Sequence, residues 1–257
     1  MKLINSRSDQ AASGPGMVAL LPMGAVEQHS LHLPLGTDTL IVEAIAAAVE
    51  RRLPTRVVLL PTLSVGASDH HLAMPGTISI GTQTAADHAT HQCLSLAQST
   101  GIRTFVLLNG HGGNQPACRL ALEKLRAAAP GVRGFAVDYW GPMFDELDAS
   151  GTARPAAMGH ADAIETSILL ATHPALVDMD RAVEDGYQDA LPAYVTTTEG
   201  IPERTRHGGV GDPRRATATD GERYFGAAVE GIVTLIGTIV GASDSPQKER
   251  NGVDDSH

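Results

Sequence analysis

Cysteine is nearly absent from this chain. Cys93 and Cys118 are the only two, and neither belongs to a Cys-x-x-Cys pair. A disulfide framework and a structural zinc knuckle are therefore excluded, and both thiols read as small buried apolar groups. Positive charge is also short. Nineteen Lys and Arg face 29 Asp and Glu, a formal charge of −10, which argues against nucleic acid or an anionic membrane as partner. No apolar run approaches the roughly 18 residues of a membrane span. The nearest, Ala227 to Val240, contains Glu230, Gly231 and Gly237 and reads as a packed C-terminal helix. Residues 1–16 are polar and lack the apolar stretch of a secretory signal, so a flexible leader and a cytoplasmic location are expected. The polar stretch 243–257 reads as a disordered tail.

What remains is one domain over residues 17–242, without linker or repeat. Short apolar runs at Met17–Leu21, Arg56–Leu60, Thr104–Leu108 and Val132–Val137 read as buried strands. Longer segments of helical period alternate with them: Asp38–Leu53, Thr84–Thr100, Gln115–Ala129, Ala161–Thr172 and Thr217–Val240. Each stops at or just before a Pro or Gly. Such alternation implies right-handed βαβ crossovers, hence a three-layer α/β/α domain with a mostly parallel sheet. The region 178–212 reads as loops over one end of that sheet.

Three polar clusters stand out from this frame. The first, Glu27-Gln28-His29 with Asp38 beyond it, follows the strand Met17–Leu21 and leads into a helix. In an extended segment Glu27 and His29 point to the same side. Asp38 suits either a helix N-cap or a metal ligand. The second, Asn109-Gly110-His111-Gly112-Gly113-Asn114, follows the strand Thr104–Leu108, and Asn114 is placed to cap the next helix. The third opens a helix with His160 and, about one turn in, Glu165. Imidazole and carboxylate together are the donors of catalytic divalent-metal sites. Strand ends are where open α/β folds place their chemistry. Elsewhere, His32 could support the first cluster, His70-His71 could border a pocket, and His88 and His91 read as surface residues of a helix.

Taken together, Gly24-Ala25-Val26-Glu27-Gln28-His29 with Asp38, Pro75-Gly76-Thr77, Asn109 to Asn114, His160 with Glu165-Thr166-Ser167, and Gly211-Asp212-Pro213 resemble the creatininase (creatinine amidohydrolase) family over about residues 17–240. The resemblance implies a creatininase-like fold and two divalent metal ions per chain, zinc and/or manganese. It implies that Glu27 and His29 bind different metals, that Asp38 bridges them, that His111 joins the first and that Glu165 completes the set. His160 matches the proton-shuttling histidine. Trp140 and Tyr139, with His71 and Ser68, are the expected substrate contacts. Gly113 stands where creatininase proper has a glutamate, and a second pocket tryptophan is missing. Family relatives form homo-oligomers, hexamers among them.

The expected reaction is hydrolysis of a non-peptide C–N bond in a small-molecule amide, a cyclic amide or formamide. A hydroxide bridging two metals attacks the carbonyl, and His160 protonates the departing nitrogen. The alternative within the family is a metallopeptidase trimming a short precursor peptide, as in mycofactocin-type maturation, or a hydrolase of a nucleotide-like formamide. The rival from another class is a non-catalytic metal-binding scaffold.

Overall fold

Four strands, β1 (Val18–Met23), β2 (Val57–Leu59), β3 (Thr104–Asn109) and β4 (Arg133–Asp138), pair in the order β2-β1-β3-β4. Every pairing is parallel, as the alternation with helices requires. All four lie within two residues of the expected runs. The computed structural model describes residues 1–11, 16–154, 157–188, 191–192, 195 and 197–244. Most of the expected tail 243–257 therefore lies outside the described residues, as do positions 12–15 of the expected leader.

Side chains alternate across the sheet and build two cores. Val18 and Leu20 of β1 and Val106 and Leu108 of β3 face one layer. That layer holds α1 (Thr37–Arg52), α4 (Trp140–Ala149), α5 (Ala163–Thr172) and α7 (Ala218–Asp244). Ala19, Leu21, Phe105 and Leu107 face α2 (Gly81–Thr100) and α3 (Gln115–Ala128). Each fully buried Leu or Phe among them contributes roughly 1.5–3 kcal/mol. Cys93 and Cys118 are buried and unpaired in the second core, and burial pushes both thiols up to about 12.

Three features bear on the expectation. First, α4 is absent from the expected helices, because Gly141-Pro142 looks like a turn. Both residues fall in the first helical turn, where Pro is tolerated, and Met143 and Leu147 bury one face. A further single turn, α6 (Ile201–Arg204), interrupts the otherwise irregular 178–212 region. Second, α7 is long and apolar enough over Ala218–Gly241 to cross a membrane by length and composition. Here it packs against α1, α4 and α5, with Ala228, Ile232, Ile236 and Ile239 buried at helical spacing, as a core helix does. Third, the start of the chain is tied down. The Met1 ammonium lies 2.7 Å from the Val57 carbonyl and 2.7 Å from Glu50, and the Leu59 amide donates to Met1 O at 2.8 Å.

The topology positions the site. Through α1 the chain moves from β1 outward to β2, on one face. Through α2 it crosses back past β1 to β3, on the opposite face. The connections therefore diverge at the carboxyl ends of β1 and β3, which opens a crevice there. Met23, Asn109 and Asp138 are in register across that edge, so the segments after β1 and β3 leave side by side.

Candidate metal centre

Each cluster reaches this crevice by local hydrogen bonding. After β1, the Gly24 amide donates to Leu63 O and the Glu27 amide to Leu35 O, both at 2.9 Å. That extended stretch sends Glu27 and His29 into one centre. Asp38 is the second residue of α1; Gly36 holds the N-cap position and no side chain caps the helix. The Asp38 carboxylate turns inward instead and is 2% exposed. After β3, Asn109 clasps the His111 backbone, accepting from its N–H at 3.1 Å and donating to its carbonyl at 2.8 Å. Asn114 does not cap α3 through its side chain. It ties two loops together, accepting from the Ala67 amide at 2.9 Å and donating to Gly24 O at 3.0 Å.

The third cluster is set by Asp162. Its carboxylate caps α5 at Ile164 and Glu165 and accepts from the Gly159 amide at 2.7 Å. Ala161 takes a left-handed conformation, φ 49°, an uncommon and strained state for a residue with a side chain. In that conformation its N–H donates to Glu165 Oε2 at 2.7 Å. His160 pairs with Val210 through two backbone hydrogen bonds.

The donors converge. Glu27 Oε2 stands 3.1 Å from His111 Nε2. Asp38 Oδ2 stands 3.2 Å from His111 Nδ1, and Asp38 Oδ1 3.2 Å from His29 Nε2. Glu165 Oε2 is 3.9 Å from His29 Nε2, and His160 Nδ1 is 3.7 Å from Glu27 Oε1. The two oxygens of Asp38 thus face two different imidazoles.

The electrostatics follow from burial and crowding. For His29, burial opposes charge, but Asp38, Glu165 and Glu27 outweigh it and lift the imidazole to about 10. For His111, burial is likewise outweighed by Glu27 and Asp38, to about 9. Burial first, then the neighbouring Asp38, raises the Glu27 carboxyl above its ordinary value. Burial also raises Glu165. Burial works against ionised Asp38, yet His29 and His111 hold its carboxyl well below the usual range. Burial, then the charge on His29, pushes His160 well down, so it is neutral.

Buried polar groups without partners are costly, and this centre holds five such atoms. Both oxygens of Glu27, His29 Nε2, Asp38 Oδ2 and His71 Nε2 are buried without a hydrogen-bond partner. Each stands 3.1–3.2 Å from a facing carboxylate or imidazole atom without hydrogen-bond geometry. Carboxylate and imidazole atoms lie within 4.8 Å of one another in several overlapping groups of three, Glu27-His29-Asp38 and His29-His160-Glu165 among them. Divalent cations would satisfy the Glu27, His29 and Asp38 atoms together, and oxygen with imidazole nitrogen is the donor chemistry of zinc and manganese.

A cavity of about 560 Å³ opens onto the centre, lined by Trp140, Met158, Tyr187, Ile201 and Arg204 as well as by Glu27, Asp38, His111, His160 and Glu165. The expected substrate contacts separate here. Trp140 faces the cavity. Tyr139 does not: its ring is wholly buried in the core and packs edge-on against Trp140, 5.3 Å between centroids. The reason is helical geometry, since adjacent residues entering α4 project in different directions. Ser68 is also wholly buried, its hydroxyl 3.4 Å from His111 Nε2, within the centre and not on the cavity wall. His71 touches the cavity but is 1% exposed, with Nε2 3.2 Å from Glu27 Oε1. His32 bonds Thr166, beside Glu165, at 2.9 Å, and His88 and His91 are exposed on α2.

Three features escape a reading of the sequence. His70 stacks on His111, ring centroids 5.5 Å apart and 13° from parallel. A Cβ at Gly113 would collide with Ala67 O, His111 Nε2 and His70 Cε1, so this turn has room only for glycine. Gln28, flanked by two conspicuous residues, is buried at the centre of its own network. The alternation that aims Glu27 and His29 inward was the available signal that Gln28 contacts something else.

A parallel α/β sheet carrying paired carboxylate–imidazole donors at its switch-point crevice defines a metal-dependent hydrolase. Comparison with known proteins places the chain within that class. The creatininase (creatinine amidohydrolase) family profile matches residues 5–236, and the chain belongs to that family. A mycofactocin precursor peptide peptidase of Mycobacterium ulcerans (strain Agy99) is 35% identical, covering 84% of this chain and 83% of its own length. A creatinine amidohydrolase of Pseudomonas putida is 30% identical, covering 85% and 88%. Solved creatininases in a manganese form and in a zinc–zinc form superpose with TM-score 0.79 at 26% identity, covering 93% of this chain and 98% of theirs. They support the dinuclear divalent-metal centre. One expectation is overturned: restriction to C–N bonds other than peptide bonds conflicts with peptidases being the more similar relatives, at 34–35% identity.

Proposed function

We propose that this protein is a dinuclear metallopeptidase that cleaves a peptide bond in a short precursor peptide, the activity named for its mycobacterial relatives. The observation that carries the reading is their identity, 34–35% against 30% for the creatinine amidohydrolase, over 84–90% of the chain. The cavity supports it. At about 560 Å³, with Trp140, Met158, Tyr187 and Ile201 set among polar groups in its walls, it exceeds the needs of one small ring.

Glu27, Asp38 and His111 would hold one cation, and His29, Asp38 and Glu165 the other, with Asp38 shared because its two oxygens face the two imidazoles. When bound, two such cations, zinc or manganese, lower the pKa of a water and polarise a carbonyl. His160 does the proton work. Its Nε2 donates to the Gln28 carbonyl at 2.9 Å, which leaves Nδ1 as the nitrogen facing the centre. A neutral imidazole there accepts a proton as water is activated and delivers it to the departing amine nitrogen. Trp140, backed by Tyr139, forms an apolar wall that excludes water beside the scissile bond.

The test is a substrate panel on zinc- and manganese-loaded protein, containing short peptides and creatinine. Metal-dependent peptide cleavage with creatinine left intact is expected. Turnover of creatinine with every peptide intact would overturn the reading.

A further inference from the structure

We propose that Gln28 is a positioning residue that fixes the protons of His71 and His160, and thereby bars a third cation from the Glu27–His71–His160 corner. The amide orientation follows from two backbone groups with no choice of role. The Ser30 N–H can only donate, and it meets Gln28 Oε1 at 3.0 Å. The Gly208 carbonyl can only accept, and it meets Gln28 Nε2 at 2.8 Å. Gly208 has φ +83°, and a Cβ there would overlap the Gln28 carboxamide, so this approach is built into the chain.

One Nε2 hydrogen remains, with two imidazoles in reach: His71 Nδ1 at 2.8 Å and His160 Nε2 at 3.0 Å. His160 Nε2 also lies 2.9 Å from the Gln28 backbone carbonyl, an obligate acceptor, so that nitrogen carries the hydrogen and cannot receive another. The free amide hydrogen therefore goes to His71 Nδ1. A neutral His71 then carries its own proton on Nε2, the atom 3.2 Å from Glu27 Oε1.

The consequence is selective. Glu27, His71 and His160 present three donor atoms within 4.8 Å, enough by spacing for another metal. A protonated nitrogen has no lone pair for it. His71 instead keeps a proton on the nitrogen that stands 3.2 Å from Glu27 Oε1. The hydrogen-bond argument needs no metal. Only its consequence for a third cation rests on the two-metal reading.

Nitrogen-15 NMR of histidine-labelled, zinc-loaded protein tests the assignment, with the His71 signals identified by their loss in His71→Asn. The expected pattern is a protonated Nε2 and an acceptor Nδ1. The reverse pattern, or a metal-bound Nε2, would overturn the proposal. Gln28→Glu removes the amide donor and demands a proton on Nδ1. If this variant folds, its His71 pattern should invert and zinc content should rise by one equivalent per chain. An unchanged tautomer in folded variant would also overturn it. If the variant does not fold, the wild-type spectrum decides. A wild-type protein that binds no zinc would overturn the two-metal reading while leaving the tautomer legible.

Discussion

Glu27 Oε2 lies 3.1 Å from His111 Nε2, although one follows β1 and the other follows β3. The contact spans the crevice at which the connections diverge, and Asp38 closes it from the start of α1. Three elements therefore bring buried donor side chains to one point, where both Glu27 oxygens and Asp38 Oδ2 have no hydrogen-bond partner in the protein itself.

Asp38 holds the centre together. Asp38→Ala should weaken binding of both cations, each by at least roughly 100-fold, the upper end of what loss of a merely supporting partner costs. Metal analysis after dialysis checks this. Loss of one cation with full retention of the other would show that Asp38 is not shared.

His160 should separate binding from turnover. His160→Ala is expected to retain its metal content and to lose about 10²–10⁴ in kcat, the usual worth of a positioned acid–base group. A variant that loses metal would make His160 a ligand instead.

The metal-free protein should lose stability as pH rises. His29 at about 10 and His111 at about 9 stand above their unfolded value of 6.5. Their stabilisation is fully present below that value and is lost as pH climbs through the folded ones. Raised Glu27 and Glu165 act in the same direction at lower pH. The lowered imidazoles of His32, His70, His71 and His160 act oppositely, costing stability below 6.5. The melting temperature of chelated protein should fall steadily between pH 6.5 and 10, and bound zinc should flatten that slope because it replaces the protons. A flat profile without metal would refute the charged state of His29 and His111.

Gly113→Ala should disturb the metal centre from behind. The added Cβ meets the Ala67 carbonyl as well as the rings of His111 and His70, and the carbonyl cannot rotate away. A loss of about 1–3 kcal/mol, as for other overpacked sites, is expected. Weaker metal retention should accompany it, read by thermal melts and metal analysis. Wild-type behaviour in both would mean that the loop yields freely.

Much of the architecture was legible locally. The runs at β1 and β3 are apolar because both of their faces are covered, and Gly and Pro mark the helix ends. Glu27, His29, His111, His160 and Glu165 stand out because such polar groups directly flank those elements. α4 was hidden because its first turn, Gly141-Pro142, carries turn residues while its burial depends on α7, far along the chain. Asp38 and Asn114 fit local capping roles, yet neither side chain caps its helix, since partners from other loops compete for the same atoms.

By itself the sequence determined the parallel α/β order and which strand ends carry metal-binding side chains, because hydrophobic period and chain punctuation are local properties. Tertiary structure alone decided that Asp38 faces two imidazoles, that Trp140 and not Tyr139 meets the cavity, and that Gln28 governs His71 and His160. Those outcomes depend on distances between segments remote in the chain, which packing sets and no local pattern encodes.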